Sequence, residues 1–227
     1  MLVTIPDLLT PAEITHIRQR LEGTQWICGR RTAGDQAAKV KNNLQIPVES
    51  TDAVELGNIV LGALGRNATY SSAALPLHVL PPMFNRYDEG MDFGTHVDGS
   101  IRVIPGTAHR IRTDVSTTVF LSSPEEYDGG ELVVHDTYGE KRVKLPAGHA
   151  VIYPATSLHS ITPVTRGSRW ACFFWAQSMV PDDWKRRMLY ELDLSIMRIR
   201  SLLPDDDEAV TGIVAHYHNL IRQWGTT

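Results

Sequence analysis

Hydrophobic and polar positions change rhythm twice along the chain. The first stretch has helical spacing. Thr10-Pro11-Ala12-Glu13 combines an N-cap residue, a proline suited to the first helical position and an early acid. Ile14, Ile17 and Leu21 then recur on one face, and Gly23 marks a stop. Residues 24–50 are polar and contain glycine, with one extended piece expected near Leu44-Gln45-Ile46. From Thr51 to Leu64, the spacing of Val54, Ile59 and Leu61 predicts a second helix ending near Gly65.

From Leu77 the rhythm shortens. Strands are predicted at residues 83–87, 95–98, 116–121, 131–135, 141–145, 149–153, 160–164 and 169–176, separated by turn residues. Asp128-Gly129-Gly130 and Pro146-Ala147-Gly148 are the clearest turns. Many short strands at this spacing argue for an all-β sandwich or barrel. Two sheets rolled around a cleft would bring the ends of distant strands together.

After Pro181 helical spacing returns. Trp184, Met188, Leu189, Leu192, Ile196 and Ile199 predict a helix from about Asp182 to Leu202. Pro204-Asp205-Asp206-Asp207 breaks it, and the acids suit a new helix start. The last helix, from Val210 to Trp224, carries Ile213, Val214, Tyr217, Leu220 and Ile221. An apolar face of that size needs cover. It is expected to bury the open side of the barrel, to form a subunit interface, or both, and a homodimer or higher homo-oligomer is the expected assembly. The chain thus divides into an N-terminal helical and mixed segment (1–76) packing on the core, a β core (77–180) and a C-terminal helical appendage (181–227).

Composition narrows the function classes. With 227 residues, 42% hydrophobic and 21% charged, the chain suits one well-buried globular core. A net charge of -4 argues against a nucleic-acid partner. No apolar stretch approaches a membrane span, and the N-terminus lacks a basic start followed by an apolar run, so a cytoplasmic protein without a membrane partner is expected. Cys28 and Cys172 have no metal-type spacing. Cys172, inside Trp170-Ala171-Cys172-Phe173-Phe174-Trp175, reads as a buried free thiol.

The candidate chemistry begins at His96-Val97-Asp98. On a strand, residues two apart point to the same side, so one strand end could present both groups. Either group alone is commonplace; His159 alone reads as an ordinary histidine and Arg169 as a solvated cation. Together, two imidazoles and one carboxylate are the donor set of a facial triad, which occupies one face of an octahedral Fe(II) and leaves the other open. Arg169, ten residues after His159, adds a planar guanidinium able to grip a carboxylate through two parallel hydrogen bonds.

Three blocks frame these residues. Tyr87, Gly90, Phe93, His96 and Asp98 match Y-x-x-G-x-x-F-x-x-H-x-D. His159, Ile161, Pro163, Val164, Gly167 and Arg169 match H-x-(V/I)-x-P-V-x-x-G-x-R, and Gly129-Gly130-Glu131-Leu132 lies between. In this order the blocks resemble the PKHD-type Fe(II)/2-oxoglutarate-dependent hydroxylases of the prolyl-hydroxylase-like dioxygenase superfamily. The resemblance runs over nearly the whole chain, with no departure at a ligand position.

It implies a double-stranded β-helix (jelly-roll) core, mainly β with flanking helices. It implies Fe(II) on His96, Asp98 and His159, with 2-oxoglutarate as co-substrate and L-ascorbate as reductant. Arg169 would hold the far carboxylate of 2-oxoglutarate, and the Tyr87 hydroxyl would donate to it. The implied reaction hydroxylates a small-molecule, peptide or protein substrate and releases succinate and carbon dioxide. The competing reading is a non-enzymatic jelly-roll sensor of a metal or small molecule, which would not need Arg169. His16, His216 and His218 lie on predicted helices, outside the metal set. The basic run Arg102–Arg112, with Arg110 and His109, is expected to rim the open face, as a solvated loop or as a lid recognising an anionic or polar substrate. Trp175 is expected to pack.

Overall fold

The computed structural model describes residues 1–227. Its helices are α1 (Pro11–Glu22), α2 (Asp35–Lys39), α3 (Thr51–Gly65), α4 (Ala68–Ala74), α5 (Asp183–Arg200) and α6 (Glu208–Trp224). Helix α1 starts as its sequence requires. The Thr10 side chain accepts the Glu13 N–H, and the Glu13 carboxylate accepts the Thr10 N–H, a reciprocal box with Pro11 at the first position. Helix α3 buries a different stripe from the one expected. Ala53, Leu56, Gly57, Val60, Ala63 and Leu64 face inward, while Val54 is 54% exposed. Leu56, Val60 and Leu64 recur every four residues on that face, with the small residues Ala53, Gly57 and Ala63 beside them, and Ile59 and Leu61 are only partly buried at its edge. Helix α4 was not foreseen. It ends at Leu75, in the left-handed region at φ 43, where no glycine signals a stop.

The core is a double-stranded β-helix. The larger sheet has nine strands and follows the order Val3–Ile5, Ala150–Pro154, Val115–Phe120, Val164–Ser178, Met83–Asp88, Leu44–Gln45, Ile27–Cys28, with Tyr127–Gly129 and Pro76–Val79 also paired to Val164–Ser178. The smaller sheet runs Gly139–Val143, Leu132–Asp136, His159–Ile161, Asp92–His96, Lys41–Asn42. Residues before 77 therefore contribute strands to both sheets.

Strand alternation sorts the side chains into two layers. On Val164–Ser178, Trp170, Cys172, Phe174 and Ala176 join Ile17, Leu21, Leu56 and Val60 in the core between the larger sheet and helices α1, α3 and α4. Arg169, Phe173 and Trp175 point the other way, into the barrel. Tyr87, Phe120, Tyr153 and Ile161 fill the barrel's closed part. Both cysteines are free thiols, Cys172 buried and Cys28 exposed.

The C-terminal helices do not cover the open side of the barrel. Tyr217, Leu220, Ile221 and Trp224 of α6 pack with Leu75, Val180 and Leu189, so α6 finds its apolar partner on α5 and beside α4. Buried Arg186 ties this unit down by donating to the Val180 and Pro181 carbonyls and to Asp183. No helix is long and apolar enough to cross a membrane.

Asp128-Gly129 is not the expected turn but an irregularity in the strand Tyr127–Gly129 where it pairs with Val164–Ser178, and Gly129 tests how the barrel closes. Gly129 sits at φ 68, and a Cβ there would lie 2.0 Å from the Pro163 carbonyl oxygen. Gly129→Ala should lose at least about 2 kcal/mol, since the left-handed conformation alone costs roughly 1–2 kcal/mol for an L-residue. Gly62, mid-helix on α3 with open space around it, is the control. Gly62→Ala should gain up to about 1 kcal/mol. Urea midpoints for the two variants, moving in opposite directions, are the check.

Candidate metal centre and co-substrate cavity

Asp92–His96 and His159–Ile161 pair antiparallel, with His96 directly opposite His159. The two rings are 4.2 Å apart between centroids. The strand ends at His96, so Asp98 does not share strand geometry with it. Asp98 instead lies on the extended segment beyond, which turns its carboxylate back to 3.8 Å from His159 Nε2. One ligand atom from each of the three residues lies within 4.8 Å of the others. Cross-strand pairing, not the period of a single strand, makes the cluster.

Local backbone sets the imidazole tautomers. His96 Nδ1 lies 2.9 Å from the Gly94 carbonyl and His159 Nδ1 3.0 Å from the Ser157 carbonyl. A carbonyl only accepts, so each Nδ1 carries the proton and each Nε2 keeps its lone pair, as a metal-binding histidine requires. Phe93 stacks on His96 at 3.6 Å. Burial, and then the neighbouring His159, pull the His96 pKa down to about 4, so its ring is neutral at physiological pH. Asp98 Oδ2 is buried with no hydrogen-bond partner. A buried, unpaired carboxylate oxygen facing two bare imidazole nitrogens is the donor chemistry of a divalent transition metal.

Arg169 lies deeper in the same cavity of about 320 Å³. It is 1% exposed, opposite Tyr87 across the strand pair, with its guanidinium 5.4 Å from the Tyr87 ring and 5.3 Å from that of Phe120. Its Nε and Nη2 have no partner, and no carboxylate comes within salt-bridge distance. Burying an uncompensated guanidinium is costly unless an anion completes the site. The residues present therefore fit a ferrous ion and a ligand with a carboxylate at its far end. Tyr87 is buried and lines the cavity. Burial pushes its hydroxyl up to about 12, partly offset by Arg169, so it remains a donor.

The remaining candidates sort clearly. His16, His216 and His218 lie on helices away from the cavity, and His135 pairs with Glu140 at 3.6 Å. Residues 101–112 form a two-stranded hairpin. Of its arginines only Arg102 lines the cavity; Arg112 is held by Asp114 at 2.6 Å and Arg110 is exposed. Trp175 packs against Leu80 and Met83, but it also lines the cavity, with its indole N–H unpartnered. Lys41 and Asn85 were missed. Both are buried polar residues at the cavity wall. For Lys41 the signal in the sequence was a buried polar residue at every second position, Lys41, Asn43 and Gln45.

Removing one ligand should separate metal from fold. His96→Ala, Asp98→Ala and His159→Ala should each lose stoichiometric Fe(II) binding, at a cost on the order of several kcal/mol in metal affinity. Far-UV circular dichroism should not change, because the two apolar layers are independent of the ligands. A His159→Ala protein that binds iron like the wild type would remove the assignment.

Comparison with known proteins agrees with this geometry. Residues 82–177 match the 2OG-Fe(II) oxygenase superfamily, and residues 183–225 match the PKHD-type hydroxylase C-terminal domain. A PKHD-type hydroxylase of Paracoccus denitrificans is 78% identical over 100% of both chains, and one of Cupriavidus metallidurans is 66% identical over 99% of both. Among solved structures, a prolyl hydroxylase from Trichoplax adhaerens, in complex with a hypoxia inducible factor peptide fragment, superposes with a TM-score of 0.56. It is 14% identical, over 83% of this chain and 86% of that one. HygX from Streptomyces hygroscopicus, with nickel, 2-oxoglutarate and hygromycin B bound, gives a TM-score of 0.51 at 14% identity over 78% and 82%. At these identities the solved structures show the fold. With relatives this similar along its whole length, the chain belongs to the PKHD-type hydroxylases, enzymes of the 2OG-Fe(II) oxygenase superfamily.

Proposed function

We propose that the enzyme hydroxylates a C–H group of an organic substrate and couples this to the conversion of 2-oxoglutarate to succinate and carbon dioxide. The observation that carries the reading is the unpaired Arg169 guanidinium buried in the same cavity as His96, Asp98 and His159. A metal sensor would use the three ligands and leave no reason to bury a free cation beside them.

Ferrous iron held by His96, Asp98 and His159 would supply oxygen activation. The protein's own residues set the rest. The Gly94 and Ser157 carbonyls hold the two imidazoles as Nε2 donors. Asp98 contributes the single negative charge of the set. Arg169 orients the co-substrate by taking its far carboxylate in a planar fork, and Tyr87 donates to the same group. Phe93, Phe173, Trp175 and Ile161 line the cavity and would keep water from the substrate. L-ascorbate would serve as the reductant that keeps the iron ferrous. Solved proteins of this fold hold ligands as different as a peptide fragment and hygromycin B, so the fold leaves the substrate class open.

Arg169→Ala should leave Fe(II) binding near wild type, because a guanidinium is not a metal ligand. It should weaken 2-oxoglutarate by about 2–5 kcal/mol, the usual loss when one partner of a desolvated charge pair is removed. Arg169→Lys should recover only part, since one ammonium does not reproduce the fork. Anaerobic titration of the iron-loaded protein, followed by its charge-transfer absorption, measures both. Wild-type 2-oxoglutarate affinity in Arg169→Ala would refute the assignment, and absence of succinate from the wild type with iron, 2-oxoglutarate and oxygen would favour the sensor.

A further inference from the structure

Two more cations line the cavity, and neither the metal nor the co-substrate accounts for them. Lys41 is 3% exposed, and the one hydrogen bond of its ammonium runs from Nζ to Thr32 Oγ1 at 3.1 Å. An ammonium has three donors, so two are unused. Arg102 reaches the same residue from the other side, with Nη2 3.5 Å from the Thr32 carbonyl oxygen, and its Nε is buried without a partner. Neither cation has a carboxylate within salt-bridge distance. Asp98 and Asp35 are the acids of the cavity lining; Asp98 belongs to the metal set, and Asp35 is exposed at the rim.

Charge balance shows what is missing. A ferrous ion, Asp98, Arg169 and a doubly charged 2-oxoglutarate sum to zero. Lys41 and Arg102 remain as two positive charges in the cavity wall, largely removed from water. Burial, and then the neighbouring Arg102, lower the ammonium of Lys41 to about 8; burial lowers Arg102, against the opposing pull of Asp98. Two like charges gathered on one residue are unfavourable unless an anion joins them. The surroundings are aromatic: the Lys41 Nζ lies 5.2 Å from the Phe93 ring and 5.6 Å from that of Phe173, and the Arg102 guanidinium stacks 3.8 Å over Trp175. The Trp175 indole N–H is a further unpartnered donor.

Resting on the active-site reading above, we propose that Lys41, Arg102 and the Trp175 N–H form a receptor for an anionic oxyacid group, carboxylate or phosphate, on the substrate to be hydroxylated. The anion docks between the two cations. Phe173 and Trp175 take the adjoining apolar part of the substrate, which places its C–H bonds toward the metal face beside His96. Lys41 and Arg102 are specificity-determining residues in this arrangement.

The test uses fragments of the expected substrate. Protein loaded anaerobically with Fe(II) and 2-oxoglutarate, so that Arg169 is occupied, is titrated calorimetrically with benzoate, phenyl phosphate and benzyl alcohol. The wild type should bind one or both anions and bind the neutral alcohol more weakly; the better anion identifies the oxyacid. Lys41→Met and Arg102→Met should each weaken anion binding by about tenfold, the loss expected for one charge-assisted hydrogen bond. The charge-preserving Lys41→Arg and Arg102→Lys should retain most of it, which guards against a folding defect in the methionine variants. In all four, Fe(II) and 2-oxoglutarate affinity should stay at the wild-type value. Equal binding of the alcohol and the anions, absence of anion binding, or anion binding unaffected by both methionine variants would overturn the receptor. So would loss of 2-oxoglutarate affinity in the methionine variants, which would assign these cations to the co-substrate. Failure of the wild type to load iron or 2-oxoglutarate would instead overturn the active-site reading itself.

Discussion

Residues Val164–Ser178 run as one fifteen-residue strand, hydrogen-bonded to Met83–Asp88 on one side and Val115–Phe120 on the other. Because both flanks are paired, its register cannot slip without moving every side chain to the opposite face. Trp170, Cys172 and Phe174 must then join the helix layer, and Arg169, Phe173 and Trp175 must enter the barrel. The guanidinium is held at a depth it would not choose alone. Its position opposite Tyr87 follows from the hydrogen-bond ladder.

The smaller sheet performs the matching task for the metal ligands. Direct pairing of His96 with His159 joins residues far apart in the chain. The carbonyls of Gly94 and Ser157, each two residues upstream of the histidine it serves, then fix the proton on Nδ1. Two sheets with independent apolar packing thus converge on one cavity. The unpartnered polar atoms of Asp98, Arg169, Arg102, Asn85 and Trp175 all face that cavity. Each is unfavourable to bury by itself, by roughly 1–3 kcal/mol for a neutral group and more for a charged one. Their concentration in one place marks where ligands, rather than other protein groups, complete the hydrogen bonding.

Much of this was legible from the residues. The capping box of α1, the turn at Pro146-Ala147-Gly148 and the Tyr87, His96, Asp98, His159 and Arg169 blocks each depend on local chemistry or on fixed spacing, so they survive without a structure. The resemblance those blocks carry also anticipated the double-stranded β-helix. Other features were decided by long-range pairing. Asp98 joins the cluster from beyond the strand end, so the alternation that seemed to place it was not what placed it. Helix α6 finds its apolar partner on α5 and near Leu75, away from the barrel mouth. Lys41, Asn43 and Gln45 alternate inward, reversing the usual apolar-in pattern. A hydrophobicity reading therefore finds the extended piece near Leu44 but not the strand Lys41–Asn42. The residue types and their spacing determined which groups could do chemistry. Only the tertiary structure decided which polar groups lie buried without partners, because that depends on what every other segment brings to the same wall.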